Sequence, residues 1–189
     1  MSPILGIWAS AQQGALAVGD YESIATVNVG AGGVSGVTFS SIPATYTHLQ
    51  LRILGRGDNT NAECQFAYQF NGDGGSNYTF HLVRANGSGV FADGIGGTTA
   101  AVATVRYAAA NASANMFGAG ITDIFDYSNT SKNKTVRSIG GTDQNGSGQV
   151  YYSSNLWMNT SAINSIYIYN SDFGNISQYS QLALYGIKG

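Results

Sequence analysis

Residues 70–81 read FNGDGGSNYTFH, and Asn71, Asp73 and Asn77 set oxygen-bearing side chains among glycines. Three readings compete. A calcium loop needs about six to eight oxygen ligands, usually several of them carboxylates, and Asp73 is the single acid between Phe70 and His81. A phosphate-gripping loop runs from a strand into a helix and carries a lysine. Here the glycines lead into NYTFHLV (77–83), where apolar and polar residues alternate as on a strand. The third reading is a hairpin at Asn71–Asn77 that sets the register of two strands, with Asp73 free only for a weak, shared contact.

The same grammar extends through the rest of the chain. Alternation appears in SIATVNV (23–29), GVTF (36–39), THLQLRIL (47–54) and CQFAYQF (64–70). It returns in AVATVRY, ITDIFDY, KTVRSI, QVYYSS, SIYIYN and QLALYGI. These runs are rich in Val, Ile, Thr, Tyr and Phe, and recur about every ten residues. Between them lie turn clusters such as GAGG, GRGDNTN, ANGSG, SNTSKN and DQNGSG, whose residues tolerate positive φ or bond their own backbone. The alanine-rich AAVATVRYAAANASA fits a strand followed by a loop better than a helix. The expectation is an all-β chain, an antiparallel β-sandwich of jelly-roll-like type. Residues 20–189 form that domain, and residues 1–19 form an N-terminal arm or edge strand.

Composition narrows the function classes. Of 189 residues, 43% are hydrophobic but only 10% are charged, against about 25% in a typical soluble domain. The surface is therefore polar through Asn, Ser, Thr, Gln, Gly and Tyr, which suits packed assemblies and sugar contacts. A net charge of −2 with 8 Lys+Arg, scattered along the chain, argues against nucleic acid. Single Cys64 excludes an intrachain disulfide and a cysteine-ligated zinc site. No stretch is long enough for a membrane span. The opening MSPILGIWASAQQGALAVGD lacks the basic start of an export signal, so synthesis in a cytoplasm is expected.

Catalytic groups are thin. His48 and His81 read as strand residues, Glu22 and Glu63 sit near strand starts, and the odd spacing of Asp123 and Asp126 denies them one strand face. No catalytic residue, metal ligand or cofactor is expected. Tyrosine is the unusual resource, with 12 Tyr beside 2 Trp. QVYYSSNLWMN places Tyr151, Tyr152 and Trp157 beside Asn155 and Asn159. Aromatic faces with amides bind carbohydrate, build subunit interfaces, or serve as ordinary half-core strand residues. In the first residues, Ile4, Leu5, Ile7 and Trp8 lie close together. They form either a covering edge strand or a docking arm, each fully buried side chain contributing roughly 1.5–3 kcal/mol.

Six phrases stand out together: DYESIATVNVGAGGVSGVTFSSIPATYTHLQLRILGR (20–56), FNGDGGSNYTFH, TVRSIGGTDQNGSG, LWMNTSAINSIYIYN, the closing YSQLALYGIKG, and ILGIWAS at the start. Their order resembles a family of tailed-bacteriophage virion proteins. Members are distal modules of tail fibres and tailspikes, or stand-alone proteins of the virion surface. The resemblance implies a non-enzymatic β-sandwich that assembles as a homotrimer. With no heptads or repetitive shaft in this sequence, it favours a capsid decoration (cement) protein on the outer surface of the head. Its partners would be itself and the major capsid protein, with Ile4, Leu5, Ile7 and Trp8 as capsid anchor, and host surface polysaccharide as a further contact. The alternative it leaves open is a receptor-binding distal module of a tail fibre or tailspike. The landmarks are structural, so no catalytic residue is carried over.

Overall fold

The computed structural model describes residues 19–99 and 101–189, so the expected anchor at Ile4, Leu5, Ile7 and Trp8 lies outside the described residues. Among those residues the secondary structure is all β. The strands are β1 (Tyr21–Asn28), β2 (Gly36–Phe39), β3 (His48–Gly55), β4 (Glu63–Phe70), β5 (Tyr78–Ala85) and β6 (Val90–Thr99). They continue with β7 (Val102–Ala108), β8 (Gly118–Ile124), β9 (Lys134–Asp143), β10 (Gly148–Trp157), β11 (Ile166–Asn170) and β12 (Gln181–Ile187). They form two antiparallel sheets, as expected of a β-sandwich. The larger runs β1-β12-β3-β8-β9-β10-β5-β6 and the smaller β2-β11-β4-β7.

The order has an inner logic. Strands β9, β10, β5 and β6 form a block added beyond β8 on the larger sheet. Set that block aside and renumber the remaining eight strands along the chain. They then run 1-8-3-6 in one sheet and 2-7-4-5 in the other, with the chain changing sheet at every step but one.

The core follows from alternation. Phe66, Tyr68 and Phe70 of β4 meet Leu49, Leu51 and Ile53 of β3 between the sheets, all at most 3% exposed. Ile166 and Ile168 of β11 face Leu182 and Leu184 of β12 in the same cluster. Strand β7 packs close onto the larger sheet because β8 offers glycine beneath it. A Cβ at Gly118 would come within 2.7 Å of the Tyr107 Cα, and one at Gly120 within 2.6 Å of the Tyr107 hydroxyl.

One expectation needs correction. Asn71–Asn77 joins two strands, but not as a hairpin: β4 lies in the smaller sheet and β5 in the larger, so the segment crosses the sandwich. A turn cluster between two alternating runs looks the same in either case. The crossing is fixed by Asn71, at φ 53°. Its amide donates to the Ala162 carbonyl (2.8 Å), and its Oδ1 accepts the backbone N–H groups of Asn164 (2.9 Å) and Ser165 (3.2 Å).

Candidate binding cleft and exposed sheet face

Asp73, the acid of that crossing, is consumed structurally. Its carboxylate accepts the Gly75 N–H (2.9 Å), the Asn77 amide (2.9 and 3.1 Å) and the Trp157 indole Nε1 (2.7 Å). Burial works against its charge, but the bonds from Trp157, Gly75 and Asn77 outweigh it and leave its pKa below the usual aspartate range. Among the described residues no group of three or more His, Cys, Asp or Glu is placed to hold a metal ion. The lowered pKa has a sign. Asp73 contributes stability that is present above the ordinary value of 3.8 and is lost as pH falls through the lower folded value. In acid titrations followed by circular dichroism, Asp73→Asn is expected to flatten the stability decline below that value. An unchanged acid limb would show that the carboxylate has no such part.

The five residues expected to share a binding surface do not share one. Tyr151, Asn155 and Trp157 are 6%, 3% and 1% exposed and point between the sheets, whereas Tyr152, 45% exposed, lies on the opposite face of β10. Asn159 is half-buried in the following turn, where its Oδ1 accepts the Ser161 N–H (2.8 Å). Strand alternation separates what adjacency in sequence had grouped. His48 accepts the Asp126 N–H at Nδ1 (2.9 Å), as befits a strand histidine with a satisfied ring. Cys64 is fully buried, and burial pushes its thiol up to about 12, which removes it as a nucleophile near neutral pH.

A different constellation lies where the two sheets end unequally. Strand β7 covers β8, β9 and β10 and barely reaches β5, so β5 and β6 overhang. Between this overhang and the start of β4 opens a cleft of about 810 Å³. Gln149 on β10 links its walls. Its amide donates to Glu63 Oε2 (2.5 Å), and its Oε1 accepts from the Tyr151 hydroxyl (2.9 Å) and Arg84 Nη1 (3.1 Å). Arg84 Nε also lies 3.7 Å from Asp93 Oδ2, and its guanidinium covers the Phe91 ring at 4.6 Å. Arg106 pairs with Asp172. Burial opposes the Arg106 charge, but Asp172 and the Tyr151 hydroxyl raise its pKa overall. Burial raises the Glu63 carboxyl, with Arg106, Gln149 and Arg84 pulling the other way. Sequence reasoning named Tyr151 and Glu63 but did not join them, because no local spacing links β4, β5, β7 and β10.

The outer face of the larger sheet is the second feature. Cross-strand register lines up Arg52, Ile121, Ile139, Tyr152 and Val83 from β3 through β8, β9 and β10 to β5. The adjoining row is Leu54, Ala119, Gly141, Val150, Ala85 and Val90. Ile139, Val150 and Val90 are 57%, 65% and 74% exposed. A third row, Gln50, Asp123, Arg137, Ser154 and His81, is polar and carries both signs of charge. Gln50 donates to Asp123 (2.8 Å) and Arg137 to the Tyr152 hydroxyl (3.0 Å). Comparison with models of known protein families and with curated protein sequences finds no match for this chain.

Proposed function

We propose that this chain is a non-enzymatic structural protein of a phage virion surface, working as a homotrimeric decoration or cement protein that bridges major capsid subunits. The observation that carries the assembly part is the pair of adjoining apolar rows on the outer sheet face, centred on Ile139. Monomeric soluble proteins rarely expose contiguous apolar surface beyond a few hundred Å², and two further copies of the chain, converging with it about a threefold axis, are occupants whose own rows meet around Ile139. Charges of both signs border the rows, with Asp123 between the strands that carry Arg52 and Arg137. The phage setting and the trimeric number rest on the sequence resemblance. The strand order 1-8-3-6 and 2-7-4-5 supports the jelly-roll reading, a fold of capsid and lectin domains alike.

Sedimentation of the purified protein tests the assembly. The natural chain is expected to run as a trimer, and Ile139→Asp as a folded monomer, because clustered carboxylates at an apolar contact repel one another and lose hydration. A natural chain that sediments as a monomer would overturn the assembly. An Ile139→Asp variant that stays trimeric would place the contact elsewhere. Copy number per virion tests the location: hundreds of copies are expected of a capsid decoration, and a few to a few tens would make the protein a tail appendage.

A further inference from the structure

The cleft under the β5–β6 overhang is lined by a built polar network, and its chemistry selects among ligands. Both guanidinium groups already face carboxylates: Arg106 pairs with Asp172, and Arg84 lies beside Asp93. An anion such as phosphate would meet Glu63 and Asp93 without an unanswered cation to hold it. A metal ion would meet two fixed positive charges. A wholly apolar ligand would strip water from Glu63, Arg84 and Gln149 and return no hydrogen bonds. What remains is a neutral molecule that both donates and accepts. Carboxylates accept, guanidinium groups donate, and the Gln149 amide keeps one N–H to donate while its Oε1 is filled by Tyr151 and Arg84, so hydroxyl groups, which both donate and accept, match these walls. Beside them Phe80, Leu82 and Ile95 line the same cleft and offer the apolar contact that the C–H faces of a ring require. A concave site with a few convergent polar groups among apolar walls is the ordinary form of a ligand pocket.

We propose that this cleft binds a saccharide, with Gln149, Glu63 and Arg84 as the groups that hydrogen-bond its hydroxyls. The inference goes beyond the structural role above and does not depend on the oligomeric state. It also moves any sugar contact away from Tyr152 and Asn159 to the opposite face of β10 and its neighbours.

Saturation-transfer NMR on the full chain tests it. The probes are neutral hexasaccharides of glucose, galactose, mannose and N-acetylglucosamine, with inorganic phosphate and calcium chloride as charged controls. At least one hexasaccharide is expected to bind saturably, with Kd of roughly millimolar or tighter, and Gln149→Ala to weaken it about tenfold or more. Arg84→Met, which keeps the stem over Phe91, is expected to do the same. It supplies a second reading if Gln149→Ala fails to fold. Tyr152→Ala, on the other sheet face, is expected to leave binding unchanged. No binding by any hexasaccharide would overturn the proposal. So would binding that survives Gln149→Ala and Arg84→Met, or phosphate or calcium binding at these residues. None of these results bears on the sedimentation test of assembly.

Discussion

Trp157→Ala is expected to cost about 3–5 kcal/mol for the lost side chain and its cavity. The orphaned Asp73 bond adds to this, hydrogen bonds to charged groups contributing about 1.5–3 kcal/mol. Against the roughly 5–15 kcal/mol by which domains are stable, that is enough to leave the chain largely unfolded at moderate temperature. Trp157 is 1% exposed, stacks on Tyr78 (ring centroids 6.3 Å apart, 17° between planes) and meets Phe70 at 5.5 Å. It therefore joins β10 to β5 and the smaller sheet, while its indole N–H fastens the Asn71–Asn77 crossing through Asp73. Urea denaturation of Trp157→Phe beside Trp157→Ala separates the parts, since phenylalanine keeps a ring and drops the hydrogen bond. A loss below about 1 kcal/mol for Trp157→Ala would contradict its place as the anchor of this end.

Lys134→Met is the second large effect. Lys134 is 1% exposed, and its ammonium donates to the carbonyls of Asn129 (2.6 Å), Lys132 (2.8 Å) and Thr160 (2.9 Å). Methionine replaces the stem but leaves three acceptors without their donor, at about 1–3 kcal/mol for each that stays dry. A total near 3 kcal/mol or more is expected, measured as a shift in the urea midpoint. The substitution also frees two connections, β8–β9 and β10–β11, that the ammonium pins together. Hydrogen exchange is therefore expected to rise at residues 126–133 and 158–162. Lys134 and Trp157 are register partners across β9 and β10, so the double variant is expected to deviate from additivity. Strict additivity would show that the two hold the end independently.

How much of this was written in the sequence depends on the kind of pattern. Strands β2 and β12 match the alternating runs GVTF and QLALYGI residue for residue, because a strand with one buried face must alternate. Strand β6 left no such trace. Its VFADGIGGTT carries three glycines and an aspartate, since an overhanging edge strand with little packed against it has no face to keep apolar. The partition of strands into sheets was equally hidden: the turn chemistry of Asn71 and Gly72 suits a hairpin and a crossing alike. The cleft was hidden for a further reason. Gln149 sits two residues before the noticed tyrosines, and its partners Glu63 and Arg84 are brought to it only by sheet pairing and the approach of β4. The buried state of Trp157 was legible in principle, since Tyr151, Ser153, Asn155 and Trp157 share one parity.

The eight-to-four division of the strands also separates a frame from what is hung on it. The eight strands that trade places between the sheets hold most of the core, and a change in any of them disturbs the strands paired with it. The block of β9, β10, β5 and β6 enters as two excursions between core strands and attaches along the single edge of β8. Lengthening or rewriting the outer excursion, the β5–β6 hairpin, alters the roof of the cleft and leaves the frame's hydrogen-bond ladders intact. The shape of the cleft can thus be changed by editing an awning while the house beneath it stands.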